Sequence, residues 1–206
     1  MNQRVIISGF FLRQNAWPSA ADAQCFDDWR DVQGMDLNGW LDRAQAALAT
    51  CVEPLTLCGH SFGGYLAQCL AARLGERVSH LCLFSGLVSE GGSALESYQE
   101  SRQSALMSLC RLEAAEGQIR LQEPARFCEL LQASVALAAS EPAQMLLDAP
   151  PPAVRKLRCR VSYVIPLNDA LTPVATQQHF ARRLNAREIY CPGGHLSPLR
   201  QAWDVA

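Results

Sequence analysis

Short apolar runs alternate along the chain with longer segments that predict helices. The runs at residues 4–8, 55–59 and 78–85 have the length and composition of buried strands. Residues 36–50 place apolar side chains three or four positions apart, which predicts a helix, and a second helix is predicted from residue 62 to about residue 74. The order strand, helix, strand, helix, strand predicts a parallel sheet with crossover helices.

The same alternation returns near the C-terminus. Residues 159–165 and 187–191 predict two further strands, residues 173–184 predict the helix between them, and a short helix is expected to end the chain. Residues 10–36, in contrast, show neither pattern clearly and are expected to be irregular.

Residues 89–149 interrupt this rhythm. They are rich in Ala, Leu, Gln, Glu and Ser with few β-branched residues, which predicts three or four helices. We therefore expect a single domain, in which a core of residues 1–88 and 150–206 carries a helical cap insertion at about 89–149. The cap insertion is expected to act as a lid whose apolar face lines a ligand pocket.

Composition narrows the classes of function. Of 206 residues, 49% are hydrophobic and 18% are charged, so the chain can bury a full core and is not a disordered protein. The net charge is −2 and no basic run occurs, which argues against a nucleic-acid partner. We find no signal-peptide pattern and no apolar run of the roughly 20 residues that cross a bilayer, so a cytoplasmic protein without a membrane span is expected.

The nine cysteines form no C-x-x-C pair, and most of them lie inside apolar segments. Together with the absence of an export signal, this pattern indicates reduced, buried side chains. Neither a disulfide framework nor a metal site is expected.

The segment Gly59-His60-Ser61-Phe62-Gly63 carries the main chemical motif. It is a G-x-S-x-G sequence between a predicted strand and a predicted helix, which is the context of a nucleophile elbow. A sharp turn there lifts Ser61 out of the sheet, and the two glycines let strand and helix approach closely. Ser61 then stands at a helix N-terminus, where the backbone N–H of Phe62 can hold an oxyanion. A phosphate-binding loop is the alternative, but no G-K-[ST] occurs.

A serine hydroxyl needs a general base, and the chain has four histidines. His60 adjoins Ser61 but its side chain is expected to point elsewhere, while His80 opens a strand and His179 lies within a helix. His195 follows a strand and two glycines, in the kind of loop where catalytic residues of parallel sheets gather. We therefore predict that His195 is the base.

Asp169 is the predicted acid that orients this base, because it directly follows the strand at 159–165. Glu90, which follows the preceding strand, is the alternative acid. The second oxyanion donor is expected in the loop after the first strand, where we choose the backbone N–H of Phe10, with that of Phe11 as the alternative.

Three segments resemble the catalytic blocks of the α/β-hydrolase superfamily: GHSFGG at 59–64, NDALTP at 168–173 and GGHLSP at 193–198. The passage HLCLFSGLVSEGGSALESY after the elbow helix is similar to small esterases of the branch that includes plant methylesterases and hydroxynitrile lyases. The resemblance implies an α/β-hydrolase fold with a minimal, mostly parallel sheet. It also implies ester hydrolysis through an acyl-enzyme, without a metal or an organic cofactor.

The resemblance assigns the triad to Ser61, Asp169 and His195 one for one. The chain departs from the family pattern at Ser8-Gly9, where the family usually has His-Gly before the oxyanion residue.

These observations predict a serine hydrolase that cleaves a carboxylic ester of a small or acyl substrate. A thioesterase acting on an acyl carrier protein or acyl-CoA would use the same triad, and an acidic carrier could dock on the basic residues Arg155, Lys156, Arg158 and Arg160. A non-catalytic ligand-binding protein on the same scaffold is the alternative from a different class.

Overall fold

The computed structural model describes residues 3–9, 23–26, 37–86, 157–169 and 172–200. Within these ranges six strands form one sheet in the order β2-β1-β3-β4-β5-β6, and every neighbouring pair is parallel. The strands are β1 (Gln3–Ile7), β2 (Gln24–Phe26), β3 (Leu55–His60), β4 (Val78–Phe84), β5 (Arg160–Pro166) and β6 (Arg187–Cys191). The predicted α/β fold with a parallel sheet is confirmed.

The strand order reverses once, next to β1. The chain places β2 on one side of β1 and β3 on the other, and it then adds β4, β5 and β6 in sequence. In open parallel sheets the crevice at such a reversal, outside the carboxyl ends of the strands, is where ligands bind. Here that crevice lies between the ends of β1 and β3, so residues that follow these two strands are placed together.

In the described part of the chain, three helices cover one face of the sheet: α1 (Leu37–Ala47), α2 (Phe62–Leu74) and α3 (Val174–Arg183). Their buried side chains share one apolar cluster with alternate residues of the strands, because successive side chains of a strand point to opposite faces. The central members of this cluster are fully buried and include Leu57, Leu66, Leu70, Leu81 and Tyr163.

A smaller apolar cluster lies on the other face of the sheet. It contains Cys58, Cys82 and Cys191, together with Leu196 and Leu199 around the 3-10 turn Ser197–Arg200. Four of the seven described cysteines are buried, as small apolar side chains are.

Most elements match their prediction to within a few residues, but two differ. The segment expected to be irregular contains β2, which is only three residues long and pairs with β1 through the register Val5↔Gln24, Ile6↔Cys25 and Ile7↔Phe26. A strand this short shows no periodicity, and a distant partner supplies its hydrogen bonds. The expected C-terminal helix is a single 3-10 turn within the described residues.

The expected cap insertion at 89–149 lies outside the described residues. The last described residue before it is Gly86, and a Cβ at Gly86 would lie 3.7 Å from the Cα of Gly64 on α2. The described chain therefore stops beside the start of α2 at this point. Among the residues that the structure describes, no helix combines the length and the apolar character needed to cross a membrane.

Helix α2 packs unusually close to the sheet because two glycines remove the Cβ atoms between them. A Cβ at Gly59 would lie 2.5 Å from the carbonyl oxygen of Gly63 and 2.7 Å from the Cβ of Ala67. A Cβ at Gly63 would lie 2.1 Å from the carbonyl oxygen of Ile7 at the end of β1. These contacts are with backbone atoms or short side chains that cannot rotate away, so β1, β3 and α2 meet only if both positions are glycine.

We expect Gly63→Ala to destabilise the fold by more than about 3 kcal/mol, because the added methyl group must displace either α2 or β1. Gly75→Ala is the matched control. It also replaces a glycine next to α2, with φ of 59°, but nothing lies within 4 Å of its added Cβ. Its cost should be limited to backbone strain of about 1–3 kcal/mol, because its ψ of −123° is the same as that of Ser61. Unfolding in urea measures both values, and equal losses in the two variants would contradict the packing argument.

Candidate active site

Ser61 stands at a strained turn between β3 and α2. Its φ is 52° and its ψ is −123°, which is a conformation that non-glycine residues seldom adopt. The turn is held on both sides, since the Ser61 N–H donates to the carbonyl of Phe84 at 3.0 Å and the Gly64 N–H donates to the carbonyl of Ser61 at 2.9 Å. Strain of this kind persists only where the surroundings fix it, and it is concentrated at functional sites.

The loop that leaves β1 passes directly over this turn. A Cβ at Gly9 would lie 3.3 Å from the Cβ of Ser61 and 3.0 Å from Nδ1 of His60. The region in which a second oxyanion donor was expected is therefore adjacent to Ser61. Phe10, the residue chosen for that role, lies outside the described residues.

Asp169 and His195 are hydrogen-bonded to each other at the same edge of the sheet. Nδ1 of His195 donates to Oδ2 of Asp169 at 2.8 Å, and both side chains are almost fully buried. Asp169 follows β5 and His195 follows β6, and the two loops are tied together because the Asn168 N–H donates to the carbonyl of Gly193 at 2.9 Å. The structure thus brings together two residues that are 26 positions apart in the sequence.

The Asp169 carboxylate receives two further donors. The backbone N–H of Thr172 donates to Oδ1 at 2.9 Å, and Nε2 of Gln177 donates to Oδ2 at 2.9 Å. A buried carboxylate is costly unless its charge is met by such donors. Its charge also acts on Tyr163, whose pKa is raised well above the ordinary value, first by burial and then by the Asp169 carboxylate.

His195 is also held through its backbone. Nε2 of His60 donates to the His195 carbonyl at 2.9 Å, and the Ser85 hydroxyl donates to the same oxygen at 3.0 Å. The rings of His60 and His195 pack edge to face with centroids 4.9 Å apart. The expectation that the His60 side chain points elsewhere is therefore wrong in one respect, because its ring supports the loop that carries the predicted base.

His60 is neutral in this position. Burial and, secondarily, the nearby His195 lower its pKa from 6.5 to about 3. A neutral His60 with its proton on Nε2 can donate to the carbonyl without adding a positive charge next to His195.

The other two histidines lie away from this edge. His80 is buried near the amino end of β4, where its Nε2 is 2.9 Å from the Ser162 hydroxyl, and His179 is exposed on α3. Glu90, the alternative acid, lies outside the described residues. The interpretation of His195 and Asp169 as one pair thus agrees with where the structure places them.

Two of the basic residues considered for a carrier protein, Arg158 and Arg160, are placed at the opposite edge. Arg158 and Arg160 are exposed at the amino end of β5, and Arg158 donates to Glu76 at 2.8 Å. Ser61 follows the carboxyl end of β3, which runs parallel to β5 through β4. Arg155 and Lys156 lie outside the described residues.

Sequence reasoning missed three residues that support this site: His60, Ser85 and Gln177. The contacts of His60 and Ser85 join residues more than 100 positions apart, which no local pattern reports. Gln177 gives a weak local indication, because it is a polar residue that shares the buried face of α3 with Phe180 and Ala181.

Comparison with known proteins places the chain in a family. A family profile described as "Alpha/beta hydrolase family" matches residues 13–205. None of the curated proteins matches the sequence.

Solved structures with a similar fold include three hydrolytic enzymes. A thermophilic esterase from Thermogutta terrifontis has 17% identity and a TM-score of 0.59, with coverage of 98% of this chain and 85% of the esterase. A meta-cleavage product hydrolase from Pseudomonas fluorescens has 13% identity and a TM-score of 0.65, with coverage of 96% and 85%. The thioesterase domain from the curacin biosynthetic pathway has 16% identity and a TM-score of 0.62, with coverage of 95% and 86%. At these identities the likeness concerns the fold.

The lowered pKa of His60 predicts how acid destabilises the protein. In the unfolded chain His60 is protonated as the pH falls below 6.5. In the folded protein His60 stays neutral down to about pH 3. The contribution of His60 to the free energy of unfolding is therefore complete above pH 6.5. It is lost as the pH falls from there toward 3, at up to about 1.4 kcal/mol per pH unit. His60→Gln keeps a donor but does not titrate, so its stability should fall less steeply.

Urea unfolding at several values between about pH 7 and pH 4 measures this slope. His179→Gln, on the exposed face of α3, is the control for loss of a histidine. Parallel slopes for wild type and His60→Gln would show that His60 does not titrate on unfolding.

Proposed function

Because the chain belongs to the alpha/beta hydrolase family, we propose that it is a serine hydrolase that cleaves carboxylic esters through Ser61, His195 and Asp169. The observation that carries the proposal is the buried hydrogen bond between Nδ1 of His195 and Asp169, at the sheet edge where Ser61 stands in a strained turn. Each of the three residues follows the carboxyl end of a different strand. This is the arrangement in which an open parallel sheet supports catalysis.

The role of His195 follows from its hydrogen bond. Because Nδ1 carries the proton that is donated to Asp169, Nε2 of the neutral ring has the lone pair. In the proposed mechanism Nε2 takes the Ser61 proton as the hydroxyl attacks the acyl carbon, and the Asp169 carboxylate stabilises the imidazolium that forms. His195 then gives this proton to the leaving alkoxide.

The negative charge that develops on the substrate oxygen needs donors near Ser61. Phe62 is the first residue of α2, and the N–H groups of a first helical turn point toward the helix N-terminus with the positive end of the dipole. We assign one oxyanion donor to the Phe62 N–H and the other to the Phe10 N–H. The passage of the β1 loop over Ser61 at Gly9 supports the second assignment.

The second half of the reaction repeats the first with water. His195 removes a proton from water as the water oxygen attacks the acyl carbon. The bond from that carbon to Ser61 Oγ then breaks, the imidazolium returns its proton to Oγ, and the carboxylic acid leaves. The same steps would release an acyl group from a thioester. The placement of Arg158 and Arg160 at the far edge of the sheet gives no support for a carrier protein there. We propose an ester as the substrate class and keep a thioester as the alternative.

The proposal predicts that a fluorophosphonate labels Ser61 covalently. Ser61→Ala should abolish labelling, and His195→Ala should lower the rate of ester hydrolysis by about a thousand-fold or more, because the hydroxyl loses its base. Ser79→Ala, at the amino end of β4, is the matched control and should label like the wild type.

Parallel assays with p-nitrophenyl esters, methyl esters and acyl thioesters identify the substrate class. Faster cleavage of thioesters than of matched esters would move the assignment to a thioesterase. A folded wild-type protein that is neither labelled nor active on any of these substrates would instead indicate a ligand-binding protein on this scaffold.

A further inference from the structure

Gln177 is a buried polar residue that takes no part in the proton transfers of the proposed reaction. It lies in the first turn of α3, is fully buried, and turns its amide back toward the loop that carries Asp169. Its Nε2 donates to Oδ2 of Asp169 at 2.9 Å and to the backbone carbonyl of Thr172 at 2.6 Å. Both hydrogens of the amide group are thus directed to the site.

The orientation of this amide is fixed by the chemistry of its neighbours. A carboxylate oxygen and a backbone carbonyl are both acceptors, so only the NH₂ group of Gln177 can face them. A Glu side chain of the same length would bring an oxygen against Asp169, and a Met side chain would bring no donor. The position therefore selects for a neutral side chain with two hydrogens to donate.

Gln177 and His195 share one oxygen of Asp169. Oδ2 accepts from both Nε2 of Gln177 and Nδ1 of His195, while Oδ1 accepts from the backbone N–H of Thr172. Two fixed donors on different oxygens prevent the carboxylate from rotating about its bond to Cβ. The plane of the carboxylate is thereby fixed in the orientation in which Oδ2 accepts the hydrogen bond from Nδ1 of His195.

Resting on the proposed function, we infer that Gln177 is a positioning residue, which orients Asp169 and draws part of the carboxylate charge away from His195. It touches no reacting atom and acts through Asp169. Because the imidazolium of His195 is stabilised by that same charge, Gln177 moderates how readily His195 is protonated.

The surroundings make this effect measurable. Among the described residues, the titratable groups that face the pair from the neighbouring strands are His60 on β3, Tyr163 on β5 and Cys191 on β6. Burial lowers the pKa of His60 to about 3 and raises the pKa of Cys191 to about 11, and the pKa of Tyr163 also lies above its ordinary value. All three are neutral near pH 7, so a change in the pH profile there reports on the pair itself.

The test is the substitution Gln177→Met, which keeps the length of the side chain and removes the donor. We expect kcat to fall roughly ten-fold or more with KM changed less than about two-fold, because Asp169, still bonded to Nδ1, no longer holds the imidazole in a single direction, while substrate binding does not depend on it. We also expect the acid limb of the kcat/KM profile to move to higher pH by about half a unit or more, because a carboxylate that has lost a donor holds the imidazolium more strongly.

Gln178→Met is the matched control. Gln178 is the next residue on α3, and its Nε2 donates to the Tyr190 hydroxyl at 2.8 Å on the surface. The same substitution there should leave both kcat and the pH profile unchanged, which separates loss of the Asp169 contact from a general effect of Met on α3.

The outcomes distinguish this inference from the proposed function. A wild type that the fluorophosphonate does not label would overturn the hydrolase assignment, whatever Gln177 does. A labelled wild type with an unshifted acid limb in folded Gln177→Met would overturn the positioning role alone. A purely structural role would lower the amount of folded enzyme and leave the pH profile where it was.

Should Gln177→Met fail to fold, Gln177→Glu decides the question. A protonated Glu side chain can donate to Asp169, whereas an ionised one repels it. We therefore expect this variant to lose activity as the pH rises through a range where the wild type keeps it. A profile parallel to the wild type on the alkaline side would refute the inference.

Discussion

The close approach of β1, β3 and α2 is the constraint on which the rest of the molecule depends. The two strands and the helix meet where any side chain at Gly59 or Gly63 would overlap backbone atoms, and the turn that joins β3 to α2 bends through Ser61 at a φ of 52°. Such a conformation costs on the order of 1–3 kcal/mol. It is offset by the hydrogen bonds on either side of Ser61 and by a helix that is buried along nearly its whole length. The strain therefore resides in the same residues that the core immobilises.

The rest of the site comes from the carboxyl ends of neighbouring strands, and each strand contributes one residue whose side chain is neutral or paired. His60 ends β3, Ser85 follows β4, Asp169 follows β5 and His195 follows β6. His60 and Ser85 donate to the His195 carbonyl, and Asp169 accepts from the His195 ring. When His195 is protonated, it and Asp169 form the only ion pair in the described part of this buried region. Removal from water strengthens that interaction, and the additional donors on Asp169 keep the buried carboxylate from becoming a liability.

The parts that could be predicted from the sequence are those fixed by local patterns. The buried strand β3, the glycines around Ser61 and the apolar helix α2 are adjacent in the chain, and the order of strands and helices sets the parallel topology. Loops after successive parallel strands then meet at one edge, which is why Asp169 and His195 could be paired without coordinates. Strand β2 could not be found this way, because three residues carry no periodicity and their partner is β1. His60 and Ser85 were missed for the same reason, since each is recognised only by a carbonyl contributed from far along the chain.

The polarity of the sheet also bears on the substrate class of the proposed reaction. All strands of a parallel sheet have their carboxyl ends on one edge and their amino ends on the other. In the described residues Ser61, Asp169 and His195 lie at the carboxyl edge, and Arg158 and Arg160 lie at the amino edge. Strand β5 separates the two with seven residues, a distance of about 20 Å at roughly 3.3 Å per residue. Charges exposed to water at that separation are screened, because the Debye length is about 8–10 Å at physiological salt. These arginines therefore contribute little to the electrostatics at Ser61, and under the proposed function the choice between an ester and a thioester would depend on groups at the carboxyl edge.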